Sequence, residues 1–236
     1  MQHRQWIPSG ALCSLLLLCL LMLTSATPAS AEKTDWKDDA YDFSKIQRIL
    51  LYDPNFSAAR GQSMTEFAEK IAASAYPQQA ARGKCEVITL AQASRRLSLL
   101  LGMDVDALVR TDPVRAKALL DENILKIADA WVTCNVTDWK NGSYVVPERT
   151  VWETRTARSN NGNRETYTYI VPVTYPPYTV TYSRCNVEFE LYDARTGKMV
   201  FARRDARDKD DYDNQEGMFE RITKSFFEDV GKKARR

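Results

Sequence analysis

The chain has 236 residues, with 33 basic and 31 acidic side chains and a formal net charge of +2. That balance gives no electrostatic footprint for nucleic acid. The one histidine is His3, so whatever folds downstream of it lacks Ser-His and Cys-His nucleophile pairs, histidine general bases and nearly all zinc sites.

Residues 1–31 are predicted to be a cleavable secretory signal peptide. His3 and Arg4 precede an apolar run from Ala11 to Leu23, which is shorter than the ~20 residues a membrane-spanning helix needs. Pro28 and then Ala29-Ser30-Ala31 supply a helix break and an A-x-A cleavage pattern. Cys13 and Cys19 follow leucines, where a lipoprotein cleavage site needs a small residue, so no lipid anchor is expected. Arg4 is the only Lys, Arg, Asp or Glu that cleavage removes. The expected product is a near-neutral exported protein of the periplasm or cell surface, with no integral membrane span.

Residues 32–45 are polar and read as a flexible lead-in, followed by one α/β domain over 46–236. Ile46 to Tyr52 reads as a strand ended by Asp53-Pro54-Asn55. Ser63-Met-Thr-Glu66 is a capping box opening a helix that Pro77 closes, with Met64, Phe67, Ala68, Ile71, Ala72 and Ala75 expected in the core. Cys85 to Leu90 is a short strand, and Thr89-Leu-Ala-Gln92 caps a helix running through Leu97, Leu100 and Leu101 to Gly102. Asp112-Pro113 starts another, with Ala116, Leu120, Ile124 and Ile127 inward.

Ala130 to Trp139 alternates with Ala130, Val132, Cys134 and Val136 on one face and Trp131, Thr133, Asn135, Thr137 and Trp139 on the other. Arg184 to Tyr192 turns Cys185, Val187, Phe189 and Leu191 inward. Asp193 to Gly197 is a tight turn into a strand from Lys198, and an amphipathic helix capped near Asp213 or Asn214 ends the chain with Phe219, Ile222, Phe226 and Val230 on one side. The order is β-α-β-α-α-β, an insertion at 140–182, then β-β-α. This is an α/β (α+β) chain whose natural solution is a mixed β-sheet with helices packed against it.

The insertion is rich in Thr, Tyr and Asn. Arg149 to Arg158 and Arg164 to Val171 read as a β-hairpin joined through Asn161-Gly162, and Pro172 to Tyr178 as a stiff polyproline-like segment. Such an arm buries little. Trp152, Tyr167, Tyr169, Tyr175 and Tyr178 then form either a rigid aromatic contact surface for a partner or a lid folded back on the sheet. Pairing of such hairpins between subunits is a third reading. A membrane barrel fits poorly, because Glu153, Arg155, Arg158 and Glu165 interrupt both faces.

Three cysteines follow the leader: Cys85, Cys134 and Cys185. Cys134 and Cys185 fall on apolar strand faces, so either a disulfide joins them or all three are buried thiols. The acidic run Asp208, Asp210, Asp211, Asp213 and Glu216 lacks EF-hand spacing and reads as a solvated loop favouring a helix N-terminus. No metal or cofactor is expected, and no phosphate-cradling glycine loop is present.

Ala128-Asp-Ala-Trp-Val-Thr-Cys-Asn-Val-Thr137 and Leu191-Tyr-Asp-Ala-Arg-Thr-Gly-Lys-Met-Val-Phe201 together resemble small bacterial envelope domains of the TolB N-terminal type, a group that includes CsgG-like secretion lipoproteins and LpoB-type activators of cell-wall synthases. Tyr41-Asp-Phe-Ser-Lys-Ile46 also fits. The resemblance implies a non-catalytic domain that binds an envelope protein or cell-wall component as an assembly or regulatory factor, and it carries over no site residues. The alternatives are a carboxylate-dependent envelope hydrolase using Asp208 to Glu216, and a self-associating homo-oligomer.

Overall fold

The computed structural model describes residues 31–158, 166–211 and 214–235. The predicted leader and the Asn161-Gly162 turn lie outside them. Six strands form one sheet in the order β1-β8-β7-β4-β2-β3: β1 (Ala31–Lys37), β2 (Arg48–Leu51), β3 (Glu86–Thr89), β4 (Ala130–Val146), β7 (Tyr178–Asp193) and β8 (Met199–Asp210). β5 (Arg149–Arg158) and β6 (Thr166–Tyr175) form a second, two-stranded sheet. β2 is parallel to β3 and β4, and the remaining pairs are antiparallel, so the sheet is mixed. Six α-helices among the described residues accompany it: α1 (Ser57–Arg60), α2 (Glu66–Ala80), α3 (Leu90–Leu101), α4 (Val105–Thr111), α5 (Pro113–Ile127) and α6 (Gln215–Lys233).

The mixed α/β architecture expected from the sequence is present, and β2 shows why its faces pattern differently. Ile49 and Leu51 face one cluster with α2 and α6, while Leu50 faces the other with α3, α4 and α5. A strand buried on both faces reads as a continuous apolar run. β7 alternates instead: Cys185, Val187, Phe189 and Leu191 are wholly buried and Glu188 and Glu190 are not. On the α6 side Phe226 stacks on Phe189 at 4.4 Å and on Phe201 at 5.5 Å. Burying each such ring contributes roughly 1.5–3 kcal/mol.

Several helix signals are realised as read. Thr89 and Gln92 form a reciprocal capping box, Gly102 stops α3 at φ +63°, Asp112 caps α5 ahead of Pro113, and Asn214 caps α6 by accepting from the Gly217 N–H.

Other readings are corrected. The segment read as a flexible lead-in opens as β1, an edge strand paired along β8 from Ala31↔Arg207 to Lys37↔Phe201. It lacks an apolar stripe because its anchors are polar, above all Asp35 on Arg203. Thr65, not Ser63, caps α2, and the helix runs through Pro77 to Ala80. Tyr76 and Ala80 are buried beside α6, which holds that last turn. Phe67 is 73% exposed, and the buried stripe is Ala68, Ala72, Ala75 and Tyr76. Leu100 and Leu101 of α3 are likewise exposed. Trp139 is buried on the core side, because a bulge between Val136 and Asp138 shifts the register by one residue and reverses the faces beyond it.

Candidate binding surface

β4 and β7 outrun the body. Past Trp139 they continue as a ribbon from Lys140↔Arg184 to Val146↔Tyr178. At its base the Tyr182 ring lies directly over Gly142, where any Cβ would come within 2.6 Å of ring atoms. Pro147-Glu148 on one strand and Pro176-Pro177 on the other interrupt the ladder, and β5 and β6 then pair from Arg149↔Tyr175 to Arg158↔Thr166. Thr, Val, Trp and Tyr at alternate positions suit an extended backbone. The expected polyproline-like stretch is therefore corrected: Pro172 to Tyr175 are paired strand residues, opposite Trp152 to Arg149.

No side chain described in β5 or β6 is buried, and the two strands pack on each other with only marginal contact elsewhere. Cross-strand links hold the hairpin. The Thr150 and Thr174 hydroxyls lie 3.0 Å apart, Arg149 stacks 5.8 Å from the Tyr175 ring centre, and Glu153 accepts from the Tyr175 hydroxyl; along β5 itself Glu153 also accepts from Arg155 at 3.4 Å. The Tyr175 hydroxyl, and then Arg155, hold the Glu153 carboxyl below its ordinary pKa despite exposure, while Glu153 raises that of Tyr175.

Register separates the five predicted aromatic residues. Tyr167, Tyr169 and Tyr175 share a face with Val171 and Val173, opposite Ala157, Arg155, Arg149, Glu153 and Val151. Trp152, 71% exposed, lies on the other face with Pro172, Ile170 and a set of threonines. Tyr178 is exposed in the ribbon below, beyond the proline break. Ile170 and Tyr144, also exposed, were missed. Their signal was strand alternation, which assigns them to faces only once the register is known.

Cys134 and Cys185 are free buried thiols, so the disulfide reading is corrected. Cys134 stands opposite Phe189 and Cys185 opposite Trp139, not opposite each other. Burial, first of all, pushes both thiols well above the ordinary range. In the acidic run, Asp208 pairs with Arg184 at 2.5 Å and Asp210 accepts from the Tyr144 hydroxyl at 3.0 Å, so these two brace the ribbon base. Asp213 lies outside the described residues.

The motifs behind the family resemblance are spent within the body. Asp129 accepts the N–H groups of Gln47 and Arg48 and the Arg48 guanidinium, tying β2 to β4. Asp193 accepts from Thr196 inside its turn and from the Tyr41 hydroxyl at 2.9 Å. A concavity of about 710 Å³ lies beside the carboxyl end of β2 between α3, α4 and α5 and carries Asp53, Arg95, Arg110 and Lys117. The helix N-termini around it are capped by Thr89, Asp104 and Asp112, which uses N–H groups an anion would need.

No family model matches the chain, and no curated protein matches it. Among solved structures it is similar to the PelC dodecamer from Paraburkholderia phytofirmans, at 12% identity over 86% of this chain and 98% of that one, with a TM-score of 0.44. It is also similar to lipoprotein GNA1162 from Neisseria meningitidis, at 14% identity over 78% and 98%, with a TM-score of 0.35. None of the described helices is long and apolar enough to cross a membrane.

Proposed function

We propose that this is an exported, non-catalytic envelope protein that binds another envelope component, protein or cell wall, through the β5–β6 arm, as an assembly or regulatory factor. The observation that carries the reading is an arm none of whose described side chains is buried, presenting Tyr167, Tyr169 and Tyr175 in one column. A two-stranded hairpin is marginal in water unless something covers it. Tyrosine supplies large, stiff contact area with a polar tip, which suits a partner that is part protein surface and part solvent. Arg149 and Arg155 beside these rings add donors for carboxylate or sugar hydroxyl groups. The envelope setting rests on the predicted leader and on the resemblance to exported domains.

The test replaces Tyr167, Tyr169 and Tyr175 together by Ser and follows photo-cross-linking from position 173 in intact envelopes. The reading expects a discrete cross-linked species that the triple variant loses with an unchanged melting temperature. Equal cross-linking by the variant would sink it.

A further inference from the structure

Among the described residues β5 and β6 pair only with each other, so each has an unpaired outer edge, and the two edges differ. A proline cannot donate to a ladder, so Pro172 must turn its nitrogen to the outer edge of β6, which blunts that edge. The close approach of the Thr150 and Thr174 hydroxyls, two positions away, fits the non-hydrogen-bonded class of pair that this requires. The same parity points the backbone N–H and C=O groups of Thr150, Trp152, Thr154 and Thr156 outward from β5. β5 contains no proline and, at 10 residues, offers an open edge about 30 Å long.

We propose that this edge pairs with β5 of a second copy, antiparallel, about a twofold axis perpendicular to the sheet and midway between the two Thr154 residues. Among the registers that pair at least seven residues of β5, the sequence is self-complementary in that one alone. Glu153 of each copy falls opposite Arg155 of the other, so two opposite-charge pairs form across the seam. Val151 meets Ala157, Trp152 meets Thr156, and Thr154 meets Thr154. Centring on Glu153 sets carboxylate against carboxylate, and centring on Arg155 sets guanidinium against guanidinium. A one-sided open edge closes as an isologous dimer and not as a filament, because the blunted β6 edges end the sheet on both sides. Pairing turns two marginal hairpins into one four-stranded sheet, order β6-β5-β5-β6, and brings two tyrosine columns onto one face. The inference needs the arm to be free of the body, as the binding reading does, but it needs no envelope partner.

The experiment is sedimentation velocity on the chain expressed in full and purified after export, with the variants Glu153→Arg and Arg155→Glu. Each single variant sets like charges against each other twice across the seam, and self-association is expected to weaken tenfold or more. Mixed together, the two variants restore opposite charge at both positions, and a one-to-one heterodimer is expected. That recovery also shows that neither variant is misfolded. A monomeric parent, an assembly larger than a dimer, single variants that dimerise like the parent, or a mixture that stays monomeric would each overturn the proposal. None of these outcomes bears on envelope cross-linking, so the two readings fail separately.

Discussion

Arg203, in the penultimate strand of the main sheet by sheet order, is held by Asp35 from the edge strand: its Nε and Nη2 donate to the two Asp35 carboxylate oxygens at 2.6 and 2.7 Å. Nη2 also reaches Asp229 of α6 at 2.8 Å, and the guanidinium lies beside the stacked Phe201 and Phe226 rings, 5.4 and 5.8 Å from their centres. The side chain is fully buried while both carboxylates keep some solvent contact. One cation thus joins β1, β8 and α6.

Removing a partner and removing the cation are predicted to differ. Asp229→Ala leaves a buried charge half paired and is expected to cost about 3 kcal/mol. Arg203→Met substitutes an apolar chain beside two stacked rings and frees two carboxylates already near solvent, so a loss below about 1.5 kcal/mol is expected. Urea unfolding of the two variants checks the order, and Arg203→Met being the worse of the two would contradict this account.

The same cluster sets an acid limit. The Arg203 hydrogen bonds, above all, depress the Asp35 carboxyl; at Asp229 burial opposes the shift, but Arg203, Lys33 and Lys232 outweigh it. Folded values below the unfolded ones mean that the stabilisation is complete above an ordinary aspartate pKa of about 3.9 and drains away as pH falls below it. Unfolding free energy measured from pH 6 down to pH 2 should fall steeply under about pH 4, and less steeply in Arg203→Met. Equal slopes would remove the cluster as the cause.

Gly231 of α6 sits against the turn at Gly83 so closely that a Cβ on Gly231 would lie 1.6 Å from the Gly83 carbonyl oxygen. Gly231→Ala therefore has to move the helix and is expected to cost about 3 kcal/mol. Gly61→Ala, whose nearest foreign atom would be at 3.6 Å, should fall within about 0.5 kcal/mol of the parent. Thermal melts of the pair separate close packing from loss of glycine as such.

The cysteines give a chemical check on the strand register. Cys134 and Cys185 are buried and free, and Cys85 is half-buried with its thiol also pushed up by burial. Native protein should react slowly with a thiol reagent at Cys85 and release the other two only on unfolding, with no mass change on reduction. A mass change on reduction, or fast labelling at Cys134, would mean that β4 and β7 pair otherwise.

Most elements with apolar periodicity or a local cap were legible in the sequence: the strand β2, the alternation of β7, and the caps at Thr89, Asp112 and Asn214. The burial of β2 on both faces was not among them. Those fixed by distant partners were not. β1 has no apolar stripe, because what holds it is Arg203, 168 residues away. Trp139 was assigned to the wrong face because a one-residue bulge leaves no mark in composition. Phe67 satisfied helical spacing yet faces solvent, since the smaller Ala68, Ala72 and Ala75 make the close approach to the core. Of the candidate site, the arm and its aromatic content were visible, but the division into a tyrosine face and a Trp152 face needed the β5–β6 register.

The central claim is that the arm is a binding device carried by a body that does not need it. Val146 and Tyr178 are already paired, so residues 147–177 can be replaced by an Asn-Gly turn of the kind that closes a two-residue hairpin. The decisive measurement is one melting curve and one envelope cross-linking experiment on that armless chain beside the parent, with a lysine-reactive reagent, since residues 147–177 contain no lysine and both chains keep the same reactive positions. The account predicts an unchanged melting temperature and loss of the cross-linked partner. An armless chain that melts early, or that still cross-links to the same partner, would contradict it.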